Sequence, residues 1–360
     1  MTEETSTISY LSVAMTTEEV DKMQTTDGNS ETSSVSNNRE FYFQCAVIFI
    51  GVVGTAGNAL ILYALVVSKQ HKKHMLIVNQ NVLDLFSSFF LVIVYAVKLC
   101  NLRLTGTSGY WLCITLLSGN LIWWGTNGSI VNLAAITVDR YLKVVHHTWS
   151  KIYLRPWVIY SAMAFAWFVG IVHNTISIAM TSAVIDGVCY TYVIFDSDYQ
   201  LFVLGIWYFG SFYVIILVIF IFCYWRILVV ICRQAKVMAS HDTSPGPSAA
   251  QTQSQKMQSN VIKTMIFVSV FFAITFLPSQ LYTLLIMLES FIIVDWRYYV
   301  AVFMAFCYTS TNPFIYATKF DPVRKVLREM IPCKKTPVQP TDNPGIATGN
   351  RAIRSGQERN

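Results

Sequence analysis

Along the chain, polar stretches alternate with seven long apolar runs, at about 42–67, 76–99, 111–138, 157–180, 200–232, 261–288 and 294–318. Each is long enough to cross a hydrocarbon core of about 30 Å, which takes roughly 20 residues of helix. In lipid such a run must be helical, because only then do all its backbone groups find partners within the segment. The pattern predicts an all-α membrane protein, a seven-transmembrane helix bundle over 41–319. The fifth and sixth runs carry no long polar interruption. The third holds several polar residues, which imply neighbours inside the bundle.

The flanking stretches read differently. Residues 1–40 are acidic and rich in Ser and Thr, with Glu3, Glu4, Glu18, Glu19, Asp21, Asp27, Glu31 and Glu40 against Lys22 and Arg39. Their apolar content is too low to offset chain ordering, so a disordered tail is expected. No basic start precedes an apolar core, so no cleavable signal peptide is expected. Residues 239–258 are of low complexity and carry Pro and Gly, the signature of a flexible linker. Residues 320–332 form a short amphipathic stretch, predicted to be an eighth helix, and 333–360 read as a disordered cytoplasmic tail. Between the fourth and fifth runs, Asp186-Gly187 sits between segments rich in Val, Ile and Tyr, a strong hairpin signal. No period of 20–50 residues recurs, so a solenoid is not supported.

Composition agrees with the membrane reading. The 360 residues are 54% hydrophobic and only 13% charged, with mean hydropathy +0.47. A soluble domain carries about a quarter charged residues. The charges that remain are placed unevenly. Lys69, Lys72, Lys73, Arg140, Lys143, Lys151, Arg155, Arg226, Arg233, Lys236, Lys256, Lys263 and the cluster from Lys319 to Lys335 fall on one set of connectors. The alternate connectors hold chiefly Lys98, Arg103 and Arg297. That alternation puts the basic side in the cytoplasm and the N-terminus outside. A multi-pass plasma-membrane protein follows, with membrane lipid as its solvent and no call for nucleic acid.

Several polar residues lie where polarity is costly: Asn58, Asn81, Asp84, Asn312 and Tyr316. A central Asp costs about 2.5–3.5 kcal/mol even on the cheaper insertion scale, so these side chains should face the interior and pair. Interhelical hydrogen bonding alone would account for them, as would a cation site or a conformational switch. Pro278 and Pro313 interrupt the sixth and seventh helices and should kink them.

The motifs around these residues are specific as a set. The chain has Gly57-Asn58, Asn81-Val82-Leu83-Asp84, Asp139-Arg140-Tyr141, Trp167, Phe272 with Phe276-Leu277-Pro278, and Asn312-Pro313-Phe314-Ile315-Tyr316. In this order and on these helices they resemble the signature residues of rhodopsin-like (class A) G protein-coupled receptors, over about residues 42–332. The resemblance implies that Arg140, held by Asp139 and followed by Tyr141, is the cytoplasmic switch contacting a heterotrimeric G protein. Tyr224 and Tyr316 would close around it, with Asn312-Pro313 as the hinge. Arrestin and a receptor kinase are implied as further partners. Asp84, Ser129 and Asn312 resemble the family's allosteric sodium site, and a hard cation wants such oxygen ligands. No other cofactor or metal is implied.

Departures from the pattern are informative. Gln255-Lys256-Met257-Gln258 offers no acid at the foot of helix six to lock Arg140, which permits basal activity. Tyr308 stands where relatives often have Asn. Phe276 replaces the usual toggle Trp, and Ile216 the usual helix-five Pro, leaving a core trio of Ile216, Ile130 and Phe272. The position of the aminergic Asp is Ile122, or Asn120 in a shifted register, so a monoamine is disfavoured. No Lys lies within 294–318, so retinal is not expected. By alignment the ligand pocket is Ile122, Trp123, Thr126, Tyr208, Phe276, Gln280, Thr283, Val302 and Phe306. These are also what ordinary core packing looks like.

Eight cysteines are scattered without a zinc spacing. Cys113 and Cys189 both fall on the oxidising side and are the natural disulfide partners, a bridge the family has, with Cys100 a substitute. Cys113 sits about two residues further from Arg140 than the usual spacing, which implies a bulge or a shifted register. Cys45, Cys223, Cys232 and Cys307 read as packing residues, and Cys333 as a palmitoylation site. Asp186, Asp196, Asp198, Glu289 and Asp295 bias the outer rim to acid. The hairpin and this rim suit a neuropeptide-like ligand. A lipid or small neutral ligand is the alternative, and a transporter or channel built on Asp84 a more distant one, since such proteins often show internal repeats. No nucleophile elbow, phosphate loop or HExxH spacing supports an enzyme.

Overall fold

The computed structural model describes residues 30–191, 198–240, 249–289, 296–319 and 321–330. Its helices are α1 (Ser30–Val67), α2 (Met75–Leu99), α3 (Gly106–Leu112), α4 (Asn120–Val145), α5 (His147–Tyr153), α6 (Pro156–Ser177), α7 (Asp198–Phe209), α8 (Ile215–Ser240), α9 (Ala249–Glu289), α10 (Trp296–Lys319) and α11 (Asp321–Met330). Single π-helical segments, Cys113–Leu117 and Gly210–Val214, precede α4 and join α7 to α8. The predicted seven crossings correspond to α1, α2, α4, α6, α7 with α8, α9 and α10. α1 packs on α2 and α10, α10 on α9, and α4 is the central helix, touching α2, α6 and α8.

The bundle is turned out for lipid. Phe49 and Ile221 are each 68% exposed, and Trp157, Phe165, Phe168, Trp207, Val218 and Ile274 are also on the outside. Surfaces of this kind would drive aggregation in water, whereas against acyl chains they cost nothing. Five of the described helical stretches are long and apolar enough to cross a membrane: Asn38–Val67, Met75–Leu99, Pro156–Thr181, Phe202–Gln234 and Ile262–Leu285. The third and seventh crossings, α4 and α10, fall short of that mark although the sequence pattern counted them equally. The reason is their polar inner faces, with Asn127, Ser129, Asn132 and Thr137 on α4 and Thr309, Ser310 and Asn312 on α10, all buried.

Three sequence expectations are corrected. α1 begins at Ser30, inside the stretch 1–40 read as disordered; residues 1–29 lie outside the described residues. α9 begins at Ala249 and α8 runs to Ser240, so much of the 239–258 stretch read as a flexible linker is helical. Extending a formed helix avoids the nucleation cost that a separate helix would meet, and Ala, Gln, Lys and Met are good helix formers. The third run, read as one helix over 111–138, is broken: α3 and the π-helical segment stop at Ser118, Gly119 takes φ +76°, and α4 then runs from Asn120. That break falls between Cys113 and Arg140.

The loop between α6 and α7 forms the expected hairpin. β1 (Ala183–Ile185) pairs antiparallel with β2 (Val188–Tyr190), with Val184 opposite Cys189. Asp186 and Gly187 both have positive φ, 51° and 81°, as a two-residue type I′ turn requires. Cys113 and Cys189 form a disulfide with 5.4 Å between their Cα atoms. The Leu104 amide donates to the Gly187 carbonyl at 2.9 Å, fixing the turn to the α2–α3 connector. On the opposite side α11 buries Val323 and packs Val326 and Leu327 on the core, leaving Lys325 and Arg328 exposed.

Candidate functional site

The centre of the bundle is a continuous chain of buried polar side chains. Asp84 on α2 accepts from the Ser129 hydroxyl at 2.6 Å and from the Asn312 amide at 2.7 Å, so α2, α4 and α10 meet on one carboxyl group. Ser129 accepts in turn from Gln80 Nε2. Gln80 Oε1 accepts from Asn132 at 2.8 Å, and Asn132 also donates to the Leu76 carbonyl at 2.9 Å. Asn132 Oδ1 accepts from Asn79 at 2.9 Å, whose Oδ1 accepts from the Trp167 indole at 3.0 Å. Asp84, Gln80, Ser129, Asn132 and Asn312 are fully buried, and Asn79 nearly so. A buried polar group left unpaired is costly, and this chain supplies the pairing. The structure therefore brings Asp84, Ser129 and Asn312 together. Gln80, Asn79 and Asn132 were missed in the sequence because their roles depend on partners some fifty residues away.

Tyr308 joins this polar centre to an aromatic one. Its hydroxyl lies 3.3 Å from Gln80 Nε2 and 3.4 Å from Ser129 Oγ. Its ring meets Phe276 edge-on at 5.3 Å and Phe272 at 5.7 Å, and Phe272 and Phe276 lie 4.9 Å apart. Ile130, Ile216 and Phe272 are buried in the same core cluster. The Phe276 position thus contacts the Asp84 network through one intervening side chain.

Of the two helix prolines, Pro313 has an identifiable compensation. Pro313 has no N–H to offer the Thr309 carbonyl four residues earlier. Asn58 Nδ2 on α1 donates to that carbonyl at 3.1 Å. A Cβ on Gly57 would stand 3.0 Å from Pro313 Cβ, so a side chain there would press α1 against the proline ring. On α9, Tyr213 donates to the Ala273 carbonyl at 2.9 Å, one residue before the carbonyl that Pro278 leaves without its helical partner. Asn312 Oδ1 and the Tyr316 hydroxyl are buried with no hydrogen-bond partner among the described residues.

At the basic end, Asp139 is shared between two cations. Lys143 Nζ lies 2.8 Å from its carboxylate and Arg140 Nε 3.6 Å from it. His74, at the start of α2, belongs to this group: burial pushes its imidazole down to about 4, and Arg140, Lys143 and Lys73 push the same way while Asp139 opposes. Tyr141 pairs with His146 Nε2 at 3.1 Å. Tyr224 does not touch Arg140 in this arrangement; its hydroxyl bridges Thr137 at 2.9 Å and Ser269 at 3.1 Å, tying α8 to α4 and α9. The side chains of Gln255, Lys256, Met257 and Gln258 lie outside the described residues, as does Cys333.

The residues aligned to a ligand pocket separate into groups. Ile122, Trp123, Val302 and Phe306 share a second, separate cluster with Tyr95 and Leu91, with Trp123 and Phe306 rings 5.7 Å apart. Thr126 is taken up by Ser87 at 2.7 Å. Tyr208 turns to a different set, accepting from Asn127 at 3.0 Å and packing on His173 at 4.8 Å. Phe276 belongs to the core stack, Gln280 is buried and Thr283 half-buried. Lys98 stands over the Tyr95 ring at 5.1 Å, a cation at the C-terminal end of α2. Of the acidic rim, Asp186 is described, whereas the side chains of Asp196, Asp198, Glu289 and Asp295 lie outside the described residues.

Compared with known families, residues 57–316 match the family model for the seven-transmembrane receptors of the rhodopsin family. No curated protein matches the chain.

Proposed function

The chain belongs to the rhodopsin family of seven-transmembrane receptors, and from that premise we propose that it binds a peptide on its outer face. Membership makes it a multi-pass membrane receptor that takes an extracellular ligand and signals through G proteins, and not an enzyme. The peptide ligand rests on one observation, the hairpin of β1 and β2. It is held by the Cys113–Cys189 disulfide and by the Leu104–Gly187 hydrogen bond. A two-stranded sheet leaves edges open, and an extended peptide can add to such an edge through main-chain hydrogen bonds.

In this reading the N-terminus is outside and the basic connectors face the cytoplasm of the plasma membrane. Arg140, with Asp139 and Tyr141, is the residue that engages the G protein, with Asn312, Pro313, Tyr316 and Tyr224 moving about it. An arginine beside a carboxylate at the membrane edge can exchange partners between two states, and Asp139 is already divided between Arg140 and Lys143. Arrestin and a receptor kinase are the further partners. Screening a peptide library on cells carrying the receptor and several G protein reporters is expected to give a peptide response. A response to lipid extracts with none to peptides would overturn the peptide ligand. That second reading draws support from the separate cluster of Ile122, Trp123, Val302 and Phe306, which is apolar, with the nearby Thr126 hydroxyl already engaged.

A further inference from the structure

The Asp84 pocket carries the residue types that would suggest a sodium ion, but the direction of its hydrogen bonds argues otherwise. The Trp167 indole can only donate, so the Asn79 atom it meets at 3.0 Å must be the carbonyl oxygen. Asn79 then presents its NH2 to Asn132 Oδ1. The Leu76 carbonyl can only accept, which independently places the Asn132 NH2 on the side facing both Leu76 and Gln80 Oε1. Gln80 is therefore oriented from outside the pocket, and it turns its own NH2 toward Ser129 and Tyr308. Ser129 spends its proton on one carboxylate oxygen of Asp84, and Asn312 puts an amide N–H on the other.

A hard cation needs converging oxygen lone pairs. The neighbours bonded to Asp84 instead present O–H and N–H protons, the Gln80 amide occupies one of the two lone pairs on Ser129 Oγ, and of their oxygens Asn312 Oδ1 is left without a partner among the described residues. Turning Gln80 round to expose its oxygen would set its NH2 against that of Asn132, which the Leu76 carbonyl holds in place. We propose that the Gln80 amide stands in for the ion, so that this receptor holds its Asp84 centre with its own side chains and is indifferent to sodium. Gln80 acts here as a positioning residue, and the polarity it imposes originates at Trp167 on α6 and at the Leu76 carbonyl one turn earlier on α2.

The test is the thermal unfolding midpoint of the purified full-length receptor in lipid nanodiscs. It is followed as sodium chloride replaces choline chloride at constant ionic strength. Because it needs neither ligand nor G protein, its outcome is independent of the proposed signalling function. The wild-type midpoint is expected to be the same in both salts. Gln80→Leu removes the amide, and Gln80→Glu replaces it by oxygens at the same length. Either is expected to acquire a saturable sodium-specific rise, lost again when Asp84→Asn is added. Glu is close to Gln in shape, so that variant keeps the test open should Gln80→Leu fail to fold. A sodium-specific, saturable rise in the wild type would overturn the proposal. A flat response in the wild type and in Gln80→Glu alike would overturn the role given to Gln80.

Discussion

Asn58 donates its side-chain amide to the Thr309 carbonyl at 3.1 Å, the carbonyl that Pro313 leaves without a helical partner. The bond crosses from α1 to α10 in a fully buried position. Asn58→Ala should therefore lower stability by about 1 kcal/mol, the scale of hydrogen bonds between membrane helices. Pro313→Ala returns an N–H to α10, so in that background the cost of Asn58→Ala should shrink. The measurement is a double-mutant cycle on thermal or denaturant unfolding. Equal costs of Asn58→Ala in both backgrounds would contradict the pairing.

His74 predicts a pH dependence with a definite sign. Its folded value near 4 lies below the ordinary 6.5, so between those values the unfolded chain binds a proton that the folded protein does not. Stability from this group is complete above about pH 6.5 and falls as pH drops toward 4. The loss should be about 1–2 kcal/mol, less than the full shift implies because the ring is partly exposed. His74→Gln should flatten the unfolding midpoint between pH 7 and 5 relative to wild type. A steeper decline in the variant would contradict the assignment.

Lys143 competes with Arg140 for Asp139, at 2.8 Å against 3.6 Å. Removing the competitor leaves the carboxylate to Arg140 and should hold the receptor at rest. Lys143→Gln is expected to lower ligand-independent nucleotide exchange by up to about fivefold, as befits an exposed pair worth at most about 1 kcal/mol. Exchange that rises in this variant would show that Lys143 restrains the switch instead of loosening it.

The helices and the hairpin were legible because their causes are local. Long apolar runs leave the backbone no choice but helix in lipid, and Asp186-Gly187 suits both positive φ values of its turn. The motif residues could be aligned, and the structure does bring Asp84, Ser129 and Asn312 onto one another. What stayed hidden depends on partners remote in sequence. Gln80 reads as one more polar residue until Asn132 and Ser129 are seen on either side of it. Thr126 and Tyr208 look alike as pocket hydroxyls, yet Ser87 engages one and Asn127 the other. The helical starts at Ser30 and Ala249 were obscured because composition scores a stretch by itself, whereas a helix extends from a neighbour already formed.

Arg140 is the residue proposed to pass the state of the bundle to a G protein. Its most direct test is nucleotide exchange by purified heterotrimeric G proteins, driven by the receptor in nanodiscs, for wild type and Arg140→Gln. Unfolding midpoints establish that both are folded. The wild type should accelerate exchange on at least one heterotrimer and Arg140→Gln should not. Exchange from Arg140→Gln as fast as from the wild type would contradict the account.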